Sequence, residues 1–277
     1  MQRLRCCGRL HGRLMELVDV ATAAARRAAT IIADGRGVLL EVAHKGAIDM
    51  VTQVDLAAEA AIREELTAHT SDIPILAEEG GGAWSAQTRW IVDPLDGTTN
   101  FVHGYPSYAV SIALQVDGVL EAGCVFDAVG GIPYTATRGG GAYRDGEPIR
   151  VSQTPVLDRS LLVTGFPYDR RTEIDRYLPY VREFLVASQG LRRAGAAAMD
   201  FVAIAAGQVD GYWEFGLNPW DVAAGVLLVQ EAGGAVTDME GGPLDLMSPR
   251  LLATNGKIHE EMTQKLTELL RLSLIHI

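Results

Sequence analysis

Asp93 and Asp96 stand three residues apart in the stretch WIVDPLDGTTNFVHGYP, which runs from Trp90 to Pro106. Trp90, Ile91 and Val92 are apolar and favour an extended strand, and the chain then turns polar at Asp93. In α/β proteins the ends of strands are where ligands sit. Two carboxylates held together at such a point repel each other, which raises the pKa of one of them unless a cation intervenes. Hard oxygen donors with no neighbouring His or Cys favour Mg²⁺ over zinc or copper, and Mg²⁺ commonly completes its shell with waters and substrate phosphate. Asp-Gly is also an ordinary turn dipeptide, and it recurs here at Asp34-Gly35, Asp117-Gly118, Asp145-Gly146 and Asp210-Gly211. The pair Asp96-Gly97 therefore carries little weight alone, and the whole string carries the argument.

A second stretch with chemical potential runs from Glu214 to Gly234, EFGLNPWDVAAGVLLVQEAGG. Asn218 suits a helix N-cap and Pro219 the first helical position, so Asp221 falls in the first turn of an apolar helix that stops near Gly233. An acid there is favoured by the helix dipole without any further role. Upstream, Ile73 to Leu76 reads as a short strand that delivers Glu78 and Glu79 to a run of glycines.

The strings DPLDGTTNF and WDVAAG…EAGG, in that order, resemble the two signatures of the inositol monophosphatase family of Mg²⁺-dependent, Li⁺-sensitive phosphatases. The resemblance extends over about residues 15–271 and implies one catalytic domain, a layered α-β-α-β-α sandwich of mixed α/β and α+β character, and a homodimer. It implies in-line attack of a metal-bound water on a small phosphate monoester, with no phospho-enzyme. One Mg²⁺ would be held by Glu78, Asp93 and the Leu95 carbonyl, and another by Asp93, Asp96 and Asp221, with a weaker third sharing Glu78. Thr98, backed by Asp55, and Glu78 would orient and deprotonate the water. The amides of Gly97 and Thr98 would receive phosphate oxygens, while Glu214, Asp221 and the turn Gly195-Ala196-Ala197 would contact the substrate. Ala196 departs from the Ser or Thr often found in the family, which puts one hydroxyl contact in doubt. Lys45 falls where relatives carry a lysine on a loop over the metals, although a solvated lysine explains it equally well. Asp55 read by itself is a helix N-cap, and Glu79 is the lesser candidate of its pair.

Within the family, Thr99 and Asn100 match the inositol-phosphatase branch rather than relatives acting on histidinol phosphate or phosphoadenosine phosphate. Fructose-1,6-bisphosphate and NADP remain open as substrates. So does a regulatory role on the transcription machinery. Other phosphatase chemistries fit poorly. The three-residue spacing of Asp93 and Asp96 is wrong for a haloacid-dehalogenase pair, and there is no G-x-S-x-G elbow or Walker A loop. Cys7 and Arg13 fit C-x₅-R, but no strand precedes them.

The elements that must position these residues follow from periodicity. Helices are expected over Met15–Ala33, from Asp55 through the segment DLAAEAAIREELTAH, over about Thr172–Ser188, after Gly195 and over Lys257–Leu270. Two strands flank Asp117-Gly118 as a hairpin within Tyr108–Phe126, and turns at Gly139–Gly141 and Asp145-Gly146 extend it into a meander. Leu161–Thr164 and Arg250–Thr254 are further strands. Lys45–Asp55 is too polar for a buried strand, and His103 and Cys124 read as structural. Residues 1–14, arginine-rich and free of acids, are expected to be an extension, and residues 272–277 a disordered tail.

At 277 residues the chain can bury a large core. Its net charge of −11 repels nucleic acid and phosphate esters alike, so an anionic substrate must be received by a local cation. No apolar run reaches the roughly 18 residues of a membrane span. Three cysteines without zinc-ligand spacing fit a reducing, cytoplasmic setting.

Overall fold

Strand β5 (Arg89–Asp96) is buried at every position, because it lies inside a sheet covered on both faces. The computed structural model describes residues 2–36, 42–44, 50–247 and 250–275. Helix α1 (Gln2–Gly35) is followed by a short antiparallel pair, β1 (Val42–His44) and β2 (Met50–Thr52), and by α2 (Gln53–His69). Next come β3 (Ile75–Ala77), β4 (Gly81–Gly82), β5, and α3 (Thr98–His103). A meander follows through β6 (Ala109–Val116), β7 (Val119–Asp127), β8 (Ile132–Thr137), β9 (Gly141–Arg144) and β10 (Glu147–Pro148). The later half comprises β11 (Leu161–Thr164), α4 (Arg170–Ala187), β12 (Gly190–Arg192), α5 (Ala197–Ala205), β13 (Gly211–Glu214), α6 (Pro219–Glu231), β14 (Ala235–Asp238), β15 (Leu251–Thr254) and α7 (His259–Ile275).

The larger sheet has the order β10-β9-β8-β7-β6-β5-β3-β4 and is antiparallel except where β3 runs parallel to β5. The smaller sheet, β12-β11-β13-β15-β14, is mixed, with β11 parallel to both neighbours. Helices α1 and α2 cover one face of the larger sheet, where Val18, Ala21, Ala25, Ala28 and Ile32 meet Trp90, Val110 and Ile112. Helices α5 and α6 fill the space between the sheets. Helices α4 and α7 close the far face of the smaller sheet through Tyr177, Tyr180, Phe184, Met262 and Leu266. The result is the expected α-β-α-β-α sandwich.

Several elements differ from the sequence-based expectation. Helix α1 begins at Gln2 rather than Met15, and Leu14, assigned to the extension, is buried. Helix α7 continues to Ile275, past Leu270. The short β1–β2 pair was not expected, while the expectation that the segment from Lys45 is not a buried strand, and Lys45 itself, lie outside the described residues. The edge strands β12 and β14 carry too little apolar alternation to be read from sequence. Cys124 is buried under α1, and burial pushes its thiol up to about 12, as suits a core residue. No described helix is long and apolar enough to cross a membrane.

Close packing of α5 against α6 in the middle layer depends on a glycine. A Cβ on Gly225 of α6 would lie 2.4 Å from the Phe201 ring of α5. Gly225→Ala is therefore expected to lower stability by roughly 1–3 kcal/mol through overpacking. Urea unfolding measures this, and adding Phe201→Leu to the variant should recover part of the loss.

Candidate active site

Side chains three apart on a regular strand point to opposite faces. Strand β5 escapes this rule through a register shift: Asp93 pairs with Ser111 and Asp96 with Ala109, so the intervening residues bulge. Pro94, which has no N–H to give a ladder, sits within the bulge. The strand thus runs on to Asp96, and both carboxylates line one cavity of about 360 Å³. Within it the Leu95 N–H donates to Asp93 Oδ1 at 3.0 Å. Asp96 accepts the Ala197 and Ala198 N–H groups at 3.2 and 2.8 Å, so the N-terminus of α5 holds this carboxylate. The turn Gly195-Ala196-Ala197 lines the cavity as expected, but the Ala197 amide serves Asp96.

Glu78 follows β3 and lines the same cavity, anchored by its N–H to the Val92 carbonyl at 3.2 Å. Asp221 enters from α6 as the acid of a capping box, its Oδ2 accepting the Asn218 N–H at 2.6 Å. Gly97 and Thr98 complete the near wall. Behind them, Asp55 is 1% exposed in the first turn of α2. The Thr98 hydroxyl lies 3.0 Å from Asp55 Oδ1 and 3.1 Å from the Leu95 carbonyl. A hydroxyl has a single proton, and a carboxylate is the stronger acceptor.

Glu214, at the end of β13, forms the opposite wall. It is 8% exposed, not a solvated strand-end acid, and Tyr212 Oη donates to its Oε2 at 2.5 Å. Sequence reasoning did not single out Gly165, which also lines the cavity. A Cβ there would fall within 2.2 Å of all three Glu214 carboxylate atoms, so only glycine leaves room for that side chain. The glycine directly after a strand was the available signal. Asn100, read from sequence only as a marker of the family branch, uses its amide to bond the carbonyls of Ser107 and Ala194 and so ties the α3 turn to the Gly195 loop. Arg170 and Arg193, at the mouth, were equally missed because arginine on a loop or helix start has no distinctive pattern.

The electrostatics reflect crowding. Burial first, then Glu78, Asp96 and Asp221, raises the pKa of Asp93 well above the carboxylate range. Burial pushes Asp96 up to about 7 against the pull of its two amides, and Asp221 and Glu214 also rise to about 7, again chiefly through burial. Asp200, buried on α5, is raised by burial and by Glu214. Among the described residues no three of these groups converge tightly enough to form a ready-made coordination sphere. Asp93, Asp96 and Asp221 each accept a backbone amide from elsewhere in the chain, and Asp93 also shares a hydrogen bond with Glu78. Their donor chemistry, hard oxygens with neither imidazole nor thiolate, fits Mg²⁺.

Residues 13–271 match the model of the inositol monophosphatase family. An inositol-1-monophosphatase from Synechocystis sp. is 44% identical over 256 residues, covering 91% of this chain and 89% of that protein. The Nus factor SuhB of Escherichia coli is 39% identical over 250 residues, covering 89% of this chain and 94% of that one. The solved structure of inositol monophosphatase from Anabaena sp. superposes with a TM-score of 0.85 at 41% identity, over 92% of this chain and 97% of that chain. With both signature strings meeting in one carboxylate-lined cavity and the match running nearly end to end, the chain belongs to the inositol monophosphatase family.

Proposed function

We propose that this protein is a Mg²⁺-dependent phosphatase of small phosphate monoesters, with inositol 1-phosphate as its substrate. The observation that carries the reading is the Thr98–Asp55 pair opening onto a cavity lined by Glu78, Asp93, Asp96 and Asp221. Those four side chains and the Leu95 carbonyl would hold Mg²⁺, which when bound acidifies a water and polarises the phosphoryl group. With its own proton directed to Asp55, Thr98 presents only lone pairs to the cavity, so it accepts a hydrogen from the attacking water. That water's proton can pass to Thr98 Oγ1 as the Thr98 proton passes to Asp55. Glu78 is a second acceptor on the same side. The water oxygen bonds to phosphorus as the phosphorus–oxygen ester bond breaks, the departing alkoxide takes its proton from a solvent water, and Asp55 then returns its proton to solvent. The amides of Gly97 and Thr98 would receive phosphate oxygens, and Glu214 would accept hydrogen bonds from vicinal hydroxyls of the alcohol. A homodimer remains part of the proposal.

Arg170 and Arg193 favour a second reading, a substrate with a further anionic group such as fructose-1,6-bisphosphate or NADP. Both guanidinium groups line the mouth, and burial together with Arg193 lowers the pKa of Arg170. An anion there would relieve that crowding. Histidinol phosphate is the remaining substrate to compare. The likeness to a Nus factor keeps a transcriptional role in view, and a pull-down with RNA polymerase beside the phosphatase assay separates it from catalysis. The net charge of −11 argues against direct nucleic-acid binding.

Phosphate release from inositol 1-phosphate is expected to require Mg²⁺, to fall with Li⁺ and to stop in excess chelator. Persistence in chelator would remove the metal from the mechanism.

For Asp93→Asn, turnover should fall at least ~100-fold, since even the outer partners of metal ligands are worth roughly 10–100-fold. Stability should move the other way when metal is removed. A carboxyl whose folded pKa is raised stabilises the fold at low pH and loses that contribution as pH rises towards the folded value. In chelator, then, Asp93→Asn should melt close to wild type at about pH 4, near the unfolded carboxylate value, and increasingly above it towards about pH 8. Differential scanning calorimetry at both pH values checks the widening gap, and Mg²⁺ should reverse it at pH 8.

Glu214→Ala should reduce kcat/KM for inositol 1-phosphate by roughly 10- to 100-fold, the worth of a hydrogen bond to a charged group. For p-nitrophenyl phosphate, which has no vicinal hydroxyls, the loss should be much smaller. Equal, slight losses for both would show that Glu214 does not touch the alcohol.

A further inference from the structure

Asp55 is not the only residue of α2 directed at the site. Glu59, one turn further on, is 4% exposed. Its Oε2 accepts the Glu79 N–H at 2.8 Å, and the Gly80 N–H lies 3.0 and 3.2 Å from its two oxygens. One turn beyond, Arg63 donates from Nε to Glu59 Oε1 at 2.7 Å and from its second terminal nitrogen to the Gly81 carbonyl at 3.0 Å. Asp55, Glu59 and Arg63 thus occupy i, i+4 and i+8 on one helical face. The first reaches Thr98, and the other two grip three consecutive backbone groups immediately after Glu78.

Glu78 needs such a grip. Strand β3 is held by parallel pairing with β5 as far as Ala77, and the Glu78 N–H still reaches Val92. Beyond that point the chain turns back into β4, which is two residues long. The Glu78 side chain shares a hydrogen bond with Asp93, and the backbone that carries it is set on one side by β5 and on the other by the following peptide, whose N–H is fixed by Glu59. A buried carboxylate receiving two amides and a guanidinium makes charge-assisted bonds that are stronger and more directional than neutral ones.

We propose that Glu59 and Arg63 are positioning residues that hold the 78–81 turn so that Glu78 faces the metal-binding carboxylates. The proposal rests on the reading of Glu78 as a Mg²⁺ ligand. It makes α2 the common support of both halves of the site: Asp55 behind the Thr98 hydroxyl, and Glu59 behind Glu78.

The test uses the full chain as wild type, Glu59→Gln, Glu59→Ala, Arg63→Met and Glu78→Gln. Mg²⁺ affinity is read by calorimetric titration, and each protein is also melted in chelator. Glu59→Gln keeps an amide acceptor of the same length but loses the charge. It should weaken Mg²⁺ binding by roughly 10-fold, as removal of outer partners of metal ligands does, while its melting temperature in chelator stays near wild type. Raising Mg²⁺ should restore most of its turnover, whereas Glu78→Gln should not recover. If Glu59→Ala fails to fold, Glu59→Gln and Arg63→Met still decide the matter. Wild-type Mg²⁺ affinity in both, with only the melting temperature lowered, would make the pair ordinary scaffold and overturn the proposal. A wild type that takes up no Mg²⁺ would overturn the metal reading of the cavity, and this inference with it.

Discussion

Several carboxylates must share one small cavity, and their mutual repulsion is the constraint around which the rest of this protein is arranged. Burial alone disfavours each charge, and proximity adds to it, as the raised pKa values of Asp93, Asp96 and Asp221 reflect. The scaffold offsets this with backbone N–H groups. The bulge of β5 provides one for Asp93, the start of α5 provides two for Asp96, and the cap of α6 provides one for Asp221. The two helix N-termini also bring the positive ends of their dipoles to the same place. These contacts fix the acids without neutralising them, which leaves a site whose remaining charge suits a hard divalent cation.

The sandwich matters because it brings the two sheets close enough to face each other across that cavity. Asp93 and Asp96 come from the larger sheet, whereas Glu214 comes from β13 of the smaller one. Their separation is set by the helix layer between them. Two glycines allow close approach around that layer, Gly123 of β7 against Ala224 and Gly225 against Phe201. Gly165 plays the same part at the site, since a methyl group there would occupy the space of the Glu214 carboxylate. Cavity dimensions and core packing are therefore one problem: a volume change in the middle layer alters the distance between the Asp93–Asp96 pair and Glu214.

Much of this was legible beforehand. The β6–β7 hairpin follows from alternating apolar residues around Asp117-Gly118, and the α6 start from Asn218-Pro219, because these signals are local. The expected site residues Glu78, Asp93, Leu95, Asp96, Gly97, Thr98, Gly195, Ala196, Ala197, Glu214 and Asp221 all line the cavity, with Asp55 directly behind Thr98. Less legible were local geometry and supports. The bulge that carries β5 through Pro94 and turns Asp93 and Asp96 to one side was not read from the sequence, because periodic patterns do not register a one-residue register shift. Glu59, Arg63, Asn100 and Tyr212 look like ordinary helix, turn and strand residues until their partners are known, and those partners lie far along the chain.

The sequence by itself determined which chemical groups are present, the family they belong to, and the type of most elements, since each of these depends on residue identity or on near neighbours. Only the tertiary structure decided that Asp93 and Asp96 face the same way, that the Ala197 and Ala198 amides serve Asp96 rather than open space, and that α2 supports both Thr98 and the Glu78 turn. The physical reason is that a hydrogen bond or a buried charge is defined by its partner, and folding, not adjacency, chooses partners across the chain.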